Sequence, residues 1–279
     1  MKIPSRVGLV AAGKINPALA KIHGLASVLG PVKSSSLRVA SRFVNQLRAG
    51  RPVTSWPELS NCPLVLLSLP DDELEAELRA AAAAPVNWRG KSVVLVGGAG
   101  ESADLALIAG KGAAVGTMEK MEGFHSNRFA VEGDRAAITE MKRFLRRLGA
   151  SATEIGAGKK PLYMAGMAFA GTLFTPLVEA SVDCLRKSGL SSQDAVEFAE
   201  ACFLRTLRAY VKAGKQGWQG PVAKRDIEAV KRLVAALGMD SPLLSKYFAQ
   251  TARMALDVFG QDKEWLDELD PADLPPLGD

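Results

Sequence analysis

The feature that most constrains this chain is a change of pattern near residue 156. Before it, short apolar runs of strand length alternate with stretches of helical periodicity. After it, only helical stretches follow. Residues 64–69 (LVLLSL) and 92–96 (SVVLV) are near-continuous apolar runs, as expected of strands covered on both faces. Residues 6–10, 28–32, 113–118, 128–132 and 153–155 read as further strands, with helices at residues 37–47, 71–84 and 135–148. Alternation of this kind implies a doubly wound, mostly parallel α/β sheet. Residues 162–188, 192–213, 226–237 and 241–259 then read as helices, punctuated by Gly189 and Gly214 and capped at Ser191 or Ser192. The expected division is an α/β domain over residues 1–156 and an all-helical domain over residues 157–279.

The first strand ends in small residues, and Asn16-Pro17 opens a helix. A dinucleotide-binding turn of the Rossmann type reads G-x-G-x-x-G at this place. Its glycines allow a tight turn, close approach of backbone to pyrophosphate, and close packing of helix on strand. Here Ala11-Ala12-Gly13-Lys14-Ile15-Asn16 keeps the middle glycine, the one that admits the pyrophosphate. Two readings stay open: a working turn, or a Rossmann-shaped domain that has lost its nucleotide. In the first, Leu69, Pro70, Asp71 and Gly97 form the lips of the cleft. In the second, Asp71 and Asp72 are simply acids at a helix start. NAD-specific domains place an acid after the second strand. This chain has Lys33, Ser34 and Arg38 instead, which suit a 2′-phosphate and so NADP. The same serines could equally cap the next helix, with the two cations solvated.

A composition of 48% hydrophobic and 23% charged residues is that of a globular protein. The net charge is +5, but aromatic residues are only 6% and the basic ones are spread along helices, so nucleic-acid binding is not expected. Cys62, Cys184 and Cys202 are far apart and the only histidines are His23 and His125, so no metal site is expected. The cysteines fit a reducing cytoplasm, and the apolar run after Lys2 and Arg6 is too short for a signal peptide. Residues 161–178 carry no charge and reach the minimum length of a membrane span. Gly166, Gly171 and Pro176 interrupt them, which favours a buried central helix. That helix is too apolar to face water, so a homodimer built on the helical domain is expected.

Several segments in order resemble one family: residues 7–13, 66–72 (LLSLPDD), 93–99, 116–124, 129–134 (FAVEGD), 163–177 and 220–230 (GPVAKRDIEAV). The chain resembles Rossmann-like proteins, often called oxidoreductases, that end in a helical domain of unknown function. They are distant relatives of pyrroline-5-carboxylate reductase and 6-phosphogluconate dehydrogenase. The resemblance implies an NADP-binding first domain, a dimerising helical domain and a cleft between them. It also implies a His-Pro pair where this chain has Glu119-Lys120, a histidine and an asparagine where it has Met164 and Thr172, and Arg-Gly-Asp where it has Lys224-Arg225-Asp226. Cations and Asp226 are kept; the imidazole and the amide are not.

Candidate proton donors are therefore Tyr163, His125 and Lys224, the last two titratable groups in loops. Candidate substrate contacts are Glu119, Lys120, Thr172, Arg225 and Asp226. No G-x-S-x-G elbow is present, which removes a hydrolase triad. The expected activity is NADP-dependent reduction of a small carbonyl or imine. The alternative is a non-catalytic dimer that binds a nucleotide or other anion, or acts through protein partners.

Overall fold

A computed structural model describes residues 7–267 apart from residues 15, 21, 23, 124–126 and 263. Ile15, His23 and His125, singled out above, lie outside the described residues. Among those described, eight strands form one sheet: β1 (Val7–Ala11), β2 (Leu29–Lys33), β3 (Arg51–Val53), β4 (Leu64–Ser68), β5 (Ser92–Val96), β6 (Ala114–Lys120), β7 (Arg128–Gly133) and β8 (Ser151–Glu154). Their order is β3-β2-β1-β4-β5-β6-β7-β8. Strands β1 to β6 are parallel, β7 is antiparallel to β6, and β8 is parallel to β7. The order reverses direction between β1 and β4, which makes their carboxyl ends the switch point where ligands of open α/β sheets bind.

Side chains of the central strands alternate between two cores. Leu64, Leu66, Val94 and Val96 enter one, with Phe43, Met141 and Phe144 from helices. Val65, Leu67, Val93 and Leu95 enter the other, with Trp56, Leu78, Trp88 and Ile108. A period of two with both faces covered is why these strands read as unbroken apolar runs. The connecting helices are α1 (Pro17–Ala20), α2 (Leu25–Val28), α3 (Leu37–Leu47), α4 (Asp71–Ala83), α5 (Ala106–Ala109) and α6 (Arg135–Arg147).

Three details differ from the sequence reading. Strand β3 was not expected; it is a three-residue edge strand whose Pro52 breaks the apolar pattern, as prolines on edges do. Strand β6 runs two residues further, because Glu119 and Lys120 pair with Ala130 and Phe129 of β7. The helix after the glycine turn is two four-residue pieces, with Gly24 left-handed at φ 78° at the start of the second.

The chain divides into two compact units, Met1–Phe169 and Ala170–Asp279. Almost all of helix α7 (Lys160–Ala170) goes with the first. The second holds α8 (Thr175–Lys187), α9 (Ser192–Ala213), α10 (Pro221–Lys224), α11 (Ile227–Asp240) and α12 (Pro242–Phe259). Its apolar interior is small: Val182, Ala195 and Ala199 in one cluster, and Val230, Val234, Ala252, Leu256, Trp265 and Leu266 in another.

The single helix expected at residues 162–188 is broken between α7 and α8. Pro176 has no amide to donate to the carbonyl four residues back, so the chain turns on Gly171, whose carbonyl takes the amides of Phe174 and Thr175 at 3.0 and 3.2 Å. The segment Lys160–Lys187 has a window of mean hydropathy 1.3 and, by length and composition, could cross a membrane. The expected burial of this stretch is not found: none of that window is buried within the chain. Leu162, Phe169 and Leu173 stand exposed.

Candidate functional site

The carboxyl ends of β1, β4, β5 and β6 lie side by side, and each carries a candidate segment. At β1, the buried Ala11 and Ala12 lead into Gly13 at φ 65°. A β-carbon there would be strained by the backbone and would meet Pro70 Cγ at 3.0 Å. The Ala12 amide donates to the Ser68 carbonyl at 3.1 Å, tying the turn to the end of β4. Arg42 of α3 donates to the Gly13 carbonyl at 3.0 Å and holds the turn from the other side. Beside it a cavity of about 750 Å³ is lined by Gly13, Lys14, Pro17, Arg42 and Gln46.

Asn16 stands where the third fingerprint glycine would be. Its side-chain amide donates to the Val96 carbonyl at 2.9 Å, so it fastens the start of α1 to the end of β5. Gly97 then has to be glycine: at φ 74°, a β-carbon would fall 1.9 Å from Asn16 Nδ2. The lost glycine and the retained one are thus two halves of one contact.

The residues expected to meet a 2′-phosphate are only partly free. Lys33 is buried, pairs with Glu77 at 2.9 Å and stands over the Trp56 ring. The Ser34 hydroxyl donates to the Ala11 carbonyl at 2.7 Å. Both therefore hold β2 in place, against the expectation that they greet a ligand. Ser36, one residue before α3, caps that helix. Arg38 is exposed and keeps its charge available. Leu69 and Pro70 are half-buried at the end of β4, and Asp71 begins α4, with its carboxylate beside Gly98.

At the ends of β5 and β6 the structure assembles a cluster that the sequence reading recorded only in part. Lys160, the first residue of α7, is 0% exposed and donates to the Gly100 carbonyl at 2.6 Å. Glu132 of β7, also fully buried, accepts from the Ser102 amide and hydroxyl at 3.1 and 2.6 Å and from the Gly158 amide at 3.3 Å. Glu119 of β6 and Tyr163, one turn along α7 from Lys160, complete the group. Glu119 Oε2 and the Tyr163 hydroxyl are both shut off from solvent and have no hydrogen-bond partner among the described residues. Burial pushes the Lys160 ammonium below the ordinary lysine value, against the pull of Glu119, Glu132, Asp71 and Asp104. Burial pushes the Glu119 carboxyl up, against Lys160 and the Lys120 amide. The Tyr163 phenol is raised by burial and then by Glu119. Lys160 was passed over because a lone lysine at a helix start carries no motif. The signal was its position in an otherwise uncharged helix.

The second unit holds Thr172, Lys224, Arg225 and Asp226. Thr172 is exposed in the turn before α8. Lys224 lies in the last turn of α10, where a cation suits the helix dipole. Arg225 is left-handed at φ 55° and faces Asp262 at 3.8 Å. Asp226 caps α11, accepting from the Ala229 amide at 3.0 Å. Arg225 and Asp226 thus have partners within the second unit.

Residues 127–254 match the family model described as a domain of unknown function, DUF2520. No curated protein matches the chain in sequence. Among solved structures, a Bacteroides fragilis protein proposed to be an NADP oxidoreductase superposes with TM-score 0.67 at 15% identity, over 91% of this chain and 98% of that one. A Thermotoga maritima protein gives 0.60 at 15%, over 91% and 100%. An imine reductase from Myxococcus stipitatus in complex with NADP+ gives 0.64 at 15%, over 94% and 98%. At such identities the likeness is one of fold: a Rossmann-like α/β sheet followed by a helical region, with a DUF2520 match across residues 127–254.

Proposed function

We propose that the chain is an NADP-dependent oxidoreductase that reduces a small carbonyl or imine compound. The observation that carries this reading is the row of segments along one sheet edge. The backbone turn at Gly13, the paired left-handed glycines Gly97 and Gly98, and the buried polar cluster of Glu119, Lys160 and Tyr163 follow one another on β1, β5 and β6. Three inter-strand steps of about 4.8 Å each separate the first from the last. The bound cofactors of the fold neighbours, such as NADP+ in the Myxococcus enzyme, support the same reading.

The turn fits a dinucleotide at the point that matters most. Bare backbone at Gly13 and Lys14 would meet the pyrophosphate, Arg38 the 2′-phosphate, and Gly97 and Gly98 would leave room for the nicotinamide end. Once bound, the cofactor supplies a hydride. The chain's own residues bind, orient and exclude water: α7 closes the far side of the cluster with Lys160 and Tyr163, and the cores beneath fix the strand ends. We further propose a cytoplasmic homodimer joined through the second unit, whose exposed apolar stripe on α9 includes Val196, Leu204, Leu207 and Val211.

A thermal-shift series with NADPH, NADH and no ligand tests the reading. A ligand that binds only the folded chain must raise the melting temperature. NADPH is expected to raise it more than NADH does. No shift with either would leave the non-catalytic alternative.

A further inference from the structure

Among the described residues, the buried Glu119 Oε2 and Tyr163 hydroxyl have no hydrogen-bond partner, and the Glu119 charge is felt at Tyr163. Buried polar groups in folded proteins are nearly always paired, so two orphans in one place call for a partner from outside the chain. We propose that Glu119 and Tyr163 receive a protonated nitrogen, an iminium or ammonium group, on the molecule that this enzyme transforms. The inference rests on the function proposed above and narrows its substrate class.

The chemistry of the two atoms selects the ligand. A carboxylate only accepts hydrogen bonds, and a phenol can donate or accept. A carbonyl oxygen could satisfy Tyr163 but would face the Glu119 carboxylate as a second acceptor. An ammonium or a primary iminium has two N–H donors, one for Glu119 and one for Tyr163, while a secondary iminium has one N–H, which Glu119 accepts. The surrounding charge agrees. Around Lys160 stand Glu119, Glu132, Asp71 and Asp104. Glu132 is already taken up by Ser102 and Gly158. Lys160 spends a hydrogen bond on Gly100. Among the described residues, Glu119 is the one of these carboxylates with a buried oxygen that has no partner, and a cation is the charge that it lacks.

The reaction balances without a further acid. Hydride addition to the iminium carbon forms a C–H bond and breaks the C=N π bond. That electron pair goes to nitrogen as the amine lone pair, the substrate is reduced and the nicotinamide is oxidised. The proton that a carbonyl would need is already on the iminium nitrogen. Lys160 acts here as a positioning residue: its charge favours the ionised form of Glu119, against burial and the neighbouring Glu122.

The test compares pyrrolidine, a cation at neutral pH, with cyclopentanone, a neutral ring of the same size. Both are titrated by ligand-observed NMR with NADP+ present and absent, and NADP+ binding is measured alongside. We expect the amine to bind at least about tenfold more tightly than the ketone. Glu119→Gln should abolish that preference, and Tyr163→Phe should reduce it, in variants whose melting temperatures show an intact fold. The preference should fade on acidification as Glu119 takes a proton. In Lys160→Met the fading should begin at higher pH, a shift that mere loosening of the fold would not produce. Equal binding of the two probes by the wild-type chain overturns the inference, as does no amine binding in either state. If NADP+ fails to bind while the amine preference persists, the cofactor assignment falls and the nitrogen site stands.

Discussion

The two units of this chain solve the burial problem to different degrees. In the first, the sheet gives both faces to helices, and side chains such as Leu66, Phe129 and Met141 are sealed from water. In the second, helices of similar apolarity cover each other only in part. Leu207 is 59% and Val211 78% exposed, and Phe198, Leu243 and Met254 also face outward. A sheet closed on both faces needs no second molecule. A few helices with two small clusters leave an apolar surface of the kind that marks an interaction site.

The comparison breaks first where the cores differ. Leu66→Ala should cost about 2–5 kcal/mol by lost burial and a new cavity, and Leu207→Ala within about 0.5 kcal/mol for the isolated chain. Urea titration at dilute concentration measures both; similar losses would erase the distinction. Next is assembly. The pair Leu207→Glu and Val211→Glu should weaken self-association by on the order of a hundredfold, close to 3 kcal/mol. Sedimentation at micromolar concentration reads this directly, and a wild-type monomer would refute the dimer. A smaller effect is expected at the cofactor edge: Arg38→Ala should weaken NADPH by about tenfold and leave NADH unchanged. An equal loss for both would show that Arg38 does not meet the 2′-phosphate.

The smallest effect concerns Lys160. Its folded value lies below the ordinary 10.5. Between the two values the unfolded chain holds a proton that the folded chain releases, so stability rises with pH across that window. Above 10.5 the contribution is complete, and below the folded value the buried charge is carried at full cost. Lys160→Met should flatten the alkaline rise in melting temperature, whereas parallel profiles would mean that Lys160 stays charged throughout.

Much of the fold was legible because burial on both faces leaves continuous apolar runs, as in residues 64–69, and because helices α3 and α6 carry full periodicity. What was missed was local. Strand β3 is too short to show a period, and the break before α8 falls at Gly171 and Pro176, interruptions that were visible but were read as lying within one helix. The glycine turn itself was legible, because backbone geometry forces residue type there. Lys33 and Ser34 were misread, because their partners Glu77 and Ala11 are distant in sequence. The pairing of Asn16 with Gly97 was invisible for the same reason: their nearness is made by the sheet.

The central claim is that a nicotinamide dinucleotide rests on the turn at Gly13. Calorimetric titration of NADPH into the wild-type chain and into Gly13→Val tests it most directly. At φ 65°, with Pro70 Cγ 3.0 Å from a β-carbon, a branched side chain cannot enter without moving the turn. The account predicts saturable binding of one NADPH per chain by the wild type and none by the folded variant. No binding by the wild type, or equal affinity in Gly13→Val, would contradict it.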